Sequence, residues 1–218
     1  MKTDDLIAML SANVEAVDPG RFRRVFVFAI AAGAITVIGV TLLTLGSRAD
    51  FRSPAALGFV FTKLLFAVAV SMLALVYLAR LARPGSRLPL PMTLITLPFA
   101  GIAALAAISL GVAPAAHRHA MLFEGEWLEC LLSIPILAII PFALIVGALR
   151  QAAPTHLRGA GALAGLVAGG LSATGYALHC VDDSLPFVAI WYSSTIVLCT
   201  LGGAVLGPRP VSYTHLTL

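Results

Sequence analysis

The chain has 218 residues, of which 60% are hydrophobic and 11% charged, with a mean hydropathy of +0.99. A water-soluble domain carries about 25% charged residues, so this composition excludes an ordinary soluble enzyme or binding module. The formal charge of +4 suits a nucleic-acid binder only if the cations cluster on one surface, and here they are dealt out between apolar runs instead.

The first twenty residues are polar, and the first apolar run after them has full spanning length, unlike the short apolar core of a cleavable signal peptide. Thr3 can cap a helix whose first turn holds Asp4 and Asp5, where the macrodipole favours negative charge. Leu6, Leu10, Val14 and Val17 then recur at spacings of three and four, which predicts a short amphipathic helix ended by Pro19-Gly20. One lysine, Lys2, stands against Asp4, Asp5, Glu15 and Asp18, a net charge of −3 that disfavours an anionic membrane surface. The segment suits a partner with a basic surface and an apolar groove, or packs its stripe on the ends of the helices that follow.

Six apolar runs follow, over residues 25–46, 57–79, 88–112, 127–149, 159–178 and 187–206. Each is near the roughly 20 residues that a hydrocarbon core demands, and backbone groups inside lipid must be satisfied within the segment, so the runs are helices. The expected fold is all-α: one integral membrane bundle of six transmembrane helices over residues 21–208, preceded by a cytoplasmic segment over 1–20. Pro89, Pro91 and Pro98 allow the third helix to kink or start late. In the fifth, Gly161, Gly165 and Gly169 repeat every four residues and offer a small-residue face for close helix packing.

Ten of the fourteen Lys and Arg residues precede the first run, lie between runs two and three or four and five, or follow run six. By the positive-inside rule both termini are cytoplasmic in a multi-pass inner-membrane protein, which leaves a direct nucleic-acid contact with nothing to explain. Lys63 falls within the second run, from which it can snorkel toward the interface. The remaining acids, Asp50, Glu124, Glu126, Glu129, Asp182 and Asp183, fall on the opposite side.

Two of the three cysteines meet that outer boundary: Trp127-Leu-Glu-Cys130 opens run four and His179-Cys180-Val-Asp-Asp183 closes run five. If the two helices pack antiparallel, Cys130 and Cys180 face each other across one rim. A disulfide is one use for such a pair in an oxidising periplasm. Transient capture of a soft metal ion is another, with Cys130, Cys180, His179, Glu129 and Asp182 as the candidate ligands, although no Cys-x-x-Cys supports it. Thiol redox catalysis fits less well, because the nearby carboxylates disfavour a thiolate. Simple packing at helix ends is the fourth, and Cys199, deep in run six, belongs there. A small membrane transporter is the rival reading for the whole chain. Against it, transporters place ionisable groups near the bilayer midplane, although Pro135, Pro141 and the glycines of run five offer places to break a helix.

The opening Lys2-Thr3-Asp4-Asp5-Leu6-Ile7, the basic Arg21 to Arg24 before six short-looped runs, Trp127-Leu-Glu-Cys130, and His179-Cys180-x-Asp182-Asp183-Ser184-x-Pro186-Phe187 with Trp191-Tyr192 together resemble the NrsF family. Its members are inner-membrane anti-sigma factors, negative regulators of the sigma-F type. The resemblance implies that Asp4, Asp5, Leu6 and Ile7 help hold an extracytoplasmic-function sigma factor away from RNA polymerase. It also implies that Cys130 and Cys180 sense metal or oxidative stress, and that the protein regulates without catalysing. Residues 209–218 depart from the family's usual ending and look like translated sequencing-adapter read-through, so Tyr213 and His215 carry no functional weight.

Overall fold

A computed structural model of the protein describes residues 19–51, 53–82, 91–123, 125, 127–151 and 156–208. The expected N-terminal helix with Asp4, Asp5, Leu6, Ile7 and Leu10, the acids Glu124 and Glu126, and the tail over 209–218 lie outside the described residues. Every regular element among the described residues is helical.

Helix α1 spans Pro19–Val40 and runs on through a π-helical turn, Thr41–Leu45. Helix α2 spans Pro54–Leu81, opened by Ser53 with proline in its first turn, where the missing N–H costs nothing. A 3-10 turn, Met92–Ile95, leads into α3, Thr96–Val112, so the third run does start late. Two one-turn helices, Ala115–Arg118 and Ala120–Phe123, precede α4, Trp127–Leu149. Helix α5 spans Leu157–Tyr176. Helix α6 starts at Leu185–Phe187, passes through a second π-helical turn, Val188–Tyr192, and continues over Ser193–Leu206.

Five of these helices are long and apolar enough to cross a membrane, and α5 is not among them. The sequence pattern alone makes six. The difference has a packing reason: α5 occupies the centre of the bundle, against α6, α2, α4 and α1, and its neighbours rather than its own side chains face outward. A helix in that position is built from small residues, and nearly every residue from Ala160 to Tyr176 is buried. A Cβ on Gly161 would lie 2.8 Å from the Gly207 Cα and nearer still to the Gly203 carbonyl oxygen, and one on Gly203 would lie 3.0 Å from the Gly165 Cα. Backbone thus meets backbone along α5 and α6, as the glycine spacing suggests.

Pro135 and Pro141 leave α4 continuous, so the helix break that a transport site would use does not form there. Gly33 of α1 makes room for Pro141, whose Cβ would lie 3.1 Å from a Cβ at that position. Helix α3 is peripheral and buries only Ile102 and Ala106.

The connections α1–α2, α3–α4 and α5–α6 converge on one end of the bundle, termed the rim here. The Arg48 N–H donates to the Leu178 carbonyl at 3.2 Å, and the Ser184 hydroxyl donates to the Met121 carbonyl at 2.8 Å. At the other end Gly159, in the first turn of α5, lies near Leu81, the last residue of α2.

Candidate functional site at the rim

Gly46 stops α1 in a left-handed conformation, φ 81°, that glycine adopts without strain. The turn it makes brings Arg48 back over the bundle, where its side chain is fully buried. All five guanidinium N–H groups find acceptors. Nε donates to Asp50 Oδ1 at 2.6 Å and Nη2 to Asp50 Oδ2 at 2.7 Å. Nη2 also donates to Asp183 Oδ2 at 2.8 Å, and Nη1 donates to Asp183 Oδ1 at 3.0 Å and to the Cys180 carbonyl at 3.3 Å. Arginine's fixed planar fork is what allows one side chain to serve two carboxylates and a carbonyl at once. The hydrogen bond from Arg48 holds the Asp50 carboxyl below the usual carboxylate value, and the bonds to Asp50 and then Asp183 raise the Arg48 guanidinium further above its ordinary range.

Lys63 completes this network. Nine residues beyond Pro54, it enters α2 by about 14 Å at the helical rise. Helical side chains lean toward the N-terminus, and the N-terminus of α2 is at the rim, so the lysine stem climbs back to it. It does not end in water, as snorkelling would have it: the side chain is 0% exposed. Its three ammonium protons face three acceptors, the Cys180 carbonyl at 3.0 Å, Asp183 Oδ1 at 3.4 Å and the Cys180 Sγ at 3.6 Å. Pairing inside the protein replaces hydration, as a buried ammonium requires. Two cations and two carboxylates make the cluster formally neutral.

Cys130 and Cys180 are both fully buried, both free thiols, and close enough to interact electrostatically. Burial pushes the Cys180 thiol above its ordinary value; the Lys63 charge and a hydrogen bond from the Asp182 N–H pull the other way. The Tyr192 hydroxyl, in the π-helical segment of α6, lies beside the same sulfur. Helices carry π turns disproportionately at functional sites, and both such turns among the described residues adjoin the rim.

The other candidate ligands divide. His179 uses Nδ1 toward the Gly46 carbonyl at 3.1 Å, which requires that nitrogen to carry the proton, and Nε2 lies 3.8 Å from Glu129 Oε1. Asp182 lies against Gly125, where a Cβ would meet its carboxylate and where φ is +123°. Among the described residues no three His, Cys, Asp or Glu side chains converge to hold a metal ion. The α3–α4 connection covers the site, fastened by the Ser184 bond and by Trp191 Nε1, which donates to the Leu122 carbonyl at 2.8 Å. Trp127 packs on Trp191 with ring centroids 4.9 Å apart.

Sequence reasoning brought the two cysteines to one rim but missed Arg48, Lys63 and Tyr192 as their surroundings. The available signal was Lys63 itself, an unneeded charge inside an apolar run, on a helix whose N-terminus points at the cysteines.

No solved structure matches the chain. The chain is 33% identical over 207 residues to a protein of Azospira oryzae named "Probable anti-sigma-F factor NrsF", covering 95% of this chain and 97% of that one. It is 31% identical over 207 residues to the "Anti-sigma-F factor NrsF" of Caulobacter vibrioides, covering 93% and 96%. The family profile described as "Negative regulator of sigma F" matches residues 10–213, and the chain belongs to this NrsF family.

Proposed function

We propose that the protein is a membrane-embedded anti-sigma factor, with both termini in the cytoplasm and the rim in the periplasm. It holds an extracytoplasmic-function sigma factor through its N-terminal segment, with Asp4, Asp5, Leu6, Ile7 and Leu10 as the contact residues, and releases it on periplasmic metal or redox stress. It acts by binding and not by catalysis. Family membership supports the anti-sigma activity, and the apolar helices support the membrane location.

The observation that carries the sensing half is the pair of free, fully buried thiols at one end of the bundle, near enough to influence each other electrostatically. Oxidation is the chemistry that this pair suits: two S–H bonds break, one S–S bond forms, and two protons and two electrons pass to a peroxide-class oxidant. A metal signal would need Glu129, Asp182 or His179 to swing in as a third ligand. Because burial keeps the Cys180 thiol protonated, reaction waits on an opening of the rim, which sets a threshold against basal oxidants.

The test is co-purification of a tagged full-length chain from its native host. The sigma factor is expected to accompany it from unstressed cells and to be lost after peroxide treatment. Asp4→Lys with Asp5→Lys is expected to lose the sigma factor without stress, whereas Cys130→Ser or Cys180→Ser keeps it bound under peroxide. Absence of any sigma factor from the unstressed wild-type sample refutes the regulator reading.

A further inference from the structure

Among the described residues, the Lys63 side chain reaches Cys180 from a separate helix, α2, and touches both its carbonyl and its sulfur. We propose that Lys63 is a positioning residue that transmits the state of Cys180 to α2 and, through Asp183 and Arg48, to α1; this rests on the reading of Cys180 as a sensing thiol. One ammonium group bonds the Cys180 sulfur, the Cys180 carbonyl and Asp183. Asp183 is in turn bridged by Arg48, which stands immediately beyond the π-helical turn of α1. The thiol is thereby joined to the two helices by a short chain of charged hydrogen bonds. The first turn of α1, at Pro19, is at the opposite end from the rim, and residues 1–18 precede it in the sequence.

A fully buried lysine is costly to keep, and neutrality alone would be met by removing it together with Asp183, since Arg48 would still pair with Asp50. The ammonium is therefore excess to charge balance. Its direction gives it a use: when Cys180 becomes a disulfide sulfur, it loses proton and freedom together, and the Lys63 contact must lengthen or re-form. The Asp183 contact shares the same nitrogen and shifts with it. Coupling of this kind needs two arrangements of one charged cluster, biased by the sulfur.

Two measurements test the proposal. In cells carrying a reporter for the sigma factor's target promoter, Lys63→Met combined with Asp183→Asn restores neutrality, so repression and membrane level should match wild type. Induction by peroxide should nevertheless fall at least about fivefold, the low end of an allosteric coupling. Lys63→Arg, which keeps the charge and the donors, should retain induction. In the second measurement, the full-length wild type, Cys180→Ala, Lys63→Met and the combined variant are solubilised in detergent and melted. Cys180→Ala should lower the melting temperature less in the Lys63→Met background than in wild type, because contacting residues are not additive.

Normal induction in the neutral double variant would overturn the proposal, since Lys63 would then serve charge balance alone. Additive melting shifts would do the same. Failure of the double variant to accumulate while Lys63→Arg accumulates also overturns it by assigning Lys63 to folding. If wild type itself is not induced by peroxide, the sensing function fails, and the melting cycle alone then decides whether Lys63 and Cys180 are coupled.

Discussion

Removing Arg48 and removing Asp183 should have unequal costs, although each breaks the same ion pair. Arg48→Met takes away five hydrogen bonds, yet most of the acceptors have other recourse. Asp50 is 48% exposed and returns to water, while the Cys180 carbonyl and Asp183 Oδ1 keep Lys63. The atom left without a protein donor among the described residues is Asp183 Oδ2, and because that side chain is 24% exposed, water replaces part of the loss and the cost falls to about 1 kcal/mol. Asp183→Ala instead leaves Lys63 as a wholly buried ammonium with only a carbonyl and a sulfur as acceptors. Breaking a buried pair from that side costs about 3–5 kcal/mol. Equilibrium unfolding of the full-length protein in mixed micelles measures both. The expected order is wild type, then Arg48→Met, then Asp183→Ala; Arg48→Met costing as much as Asp183→Ala would refute the view that Lys63 depends on Asp183 for its charge.

Three further outcomes follow from the packing and the rim. Gly161→Ala should be less stable than Gly202→Ala by about 1–3 kcal/mol, because both gain the same helix propensity but only Gly161 faces the backbone of another helix; equal melting curves would contradict the close approach. The Asp50 carboxyl is held below 3.8 when folded, so the stability it shares with Arg48 is present above that pH and is lost as pH falls through the lower folded value. Acid titration of Asp50→Asn should lack that loss, and an unchanged acid limb would show that the pair contributes nothing. Gly125→Ala places a Cβ on the Asp182 carboxylate at a left-handed φ and should loosen the α3–α4 connection. Faster maleimide labelling of Cys180, located by mass spectrometry, is the readout, and unchanged labelling would mean that this connection does not gate the thiol.

The helices were legible because long apolar runs between short polar connections bound where each helix can lie, whatever surrounds them. The rim was legible only where residues lie next to a helix boundary: Cys130 and Cys180 each sit within a turn of one, so counting spans places them on the same side. Lys63 was misjudged because its fate depends on partners more than a hundred residues away in sequence, and an apolar run with one lysine reads the same whether the charge ends in water or in Asp183. Arg48 fell in a connection that topology counts simply as an outer loop, and nothing local says that the loop folds inward. Tyr192 lies near the thiols at the end of a π-helical turn, and that turn has no sequence signature. Helix α5 inverted the usual rule, since its glycines and alanines lower its hydropathy at the place where it is most buried.

That inversion bears on how the chain is made. A segment as thin as α5, with Arg158 in its first turn, has little apolar surface with which to partition on its own, and its stabilising contacts are the backbones of helices synthesised before and after it. For a chain that enters a bilayer, as proposed, α5 is expected to go in paired with α6, the helix it packs on most closely. The last helix, α6, is therefore the piece without which the small-residue centre of the bundle has the least to hold it.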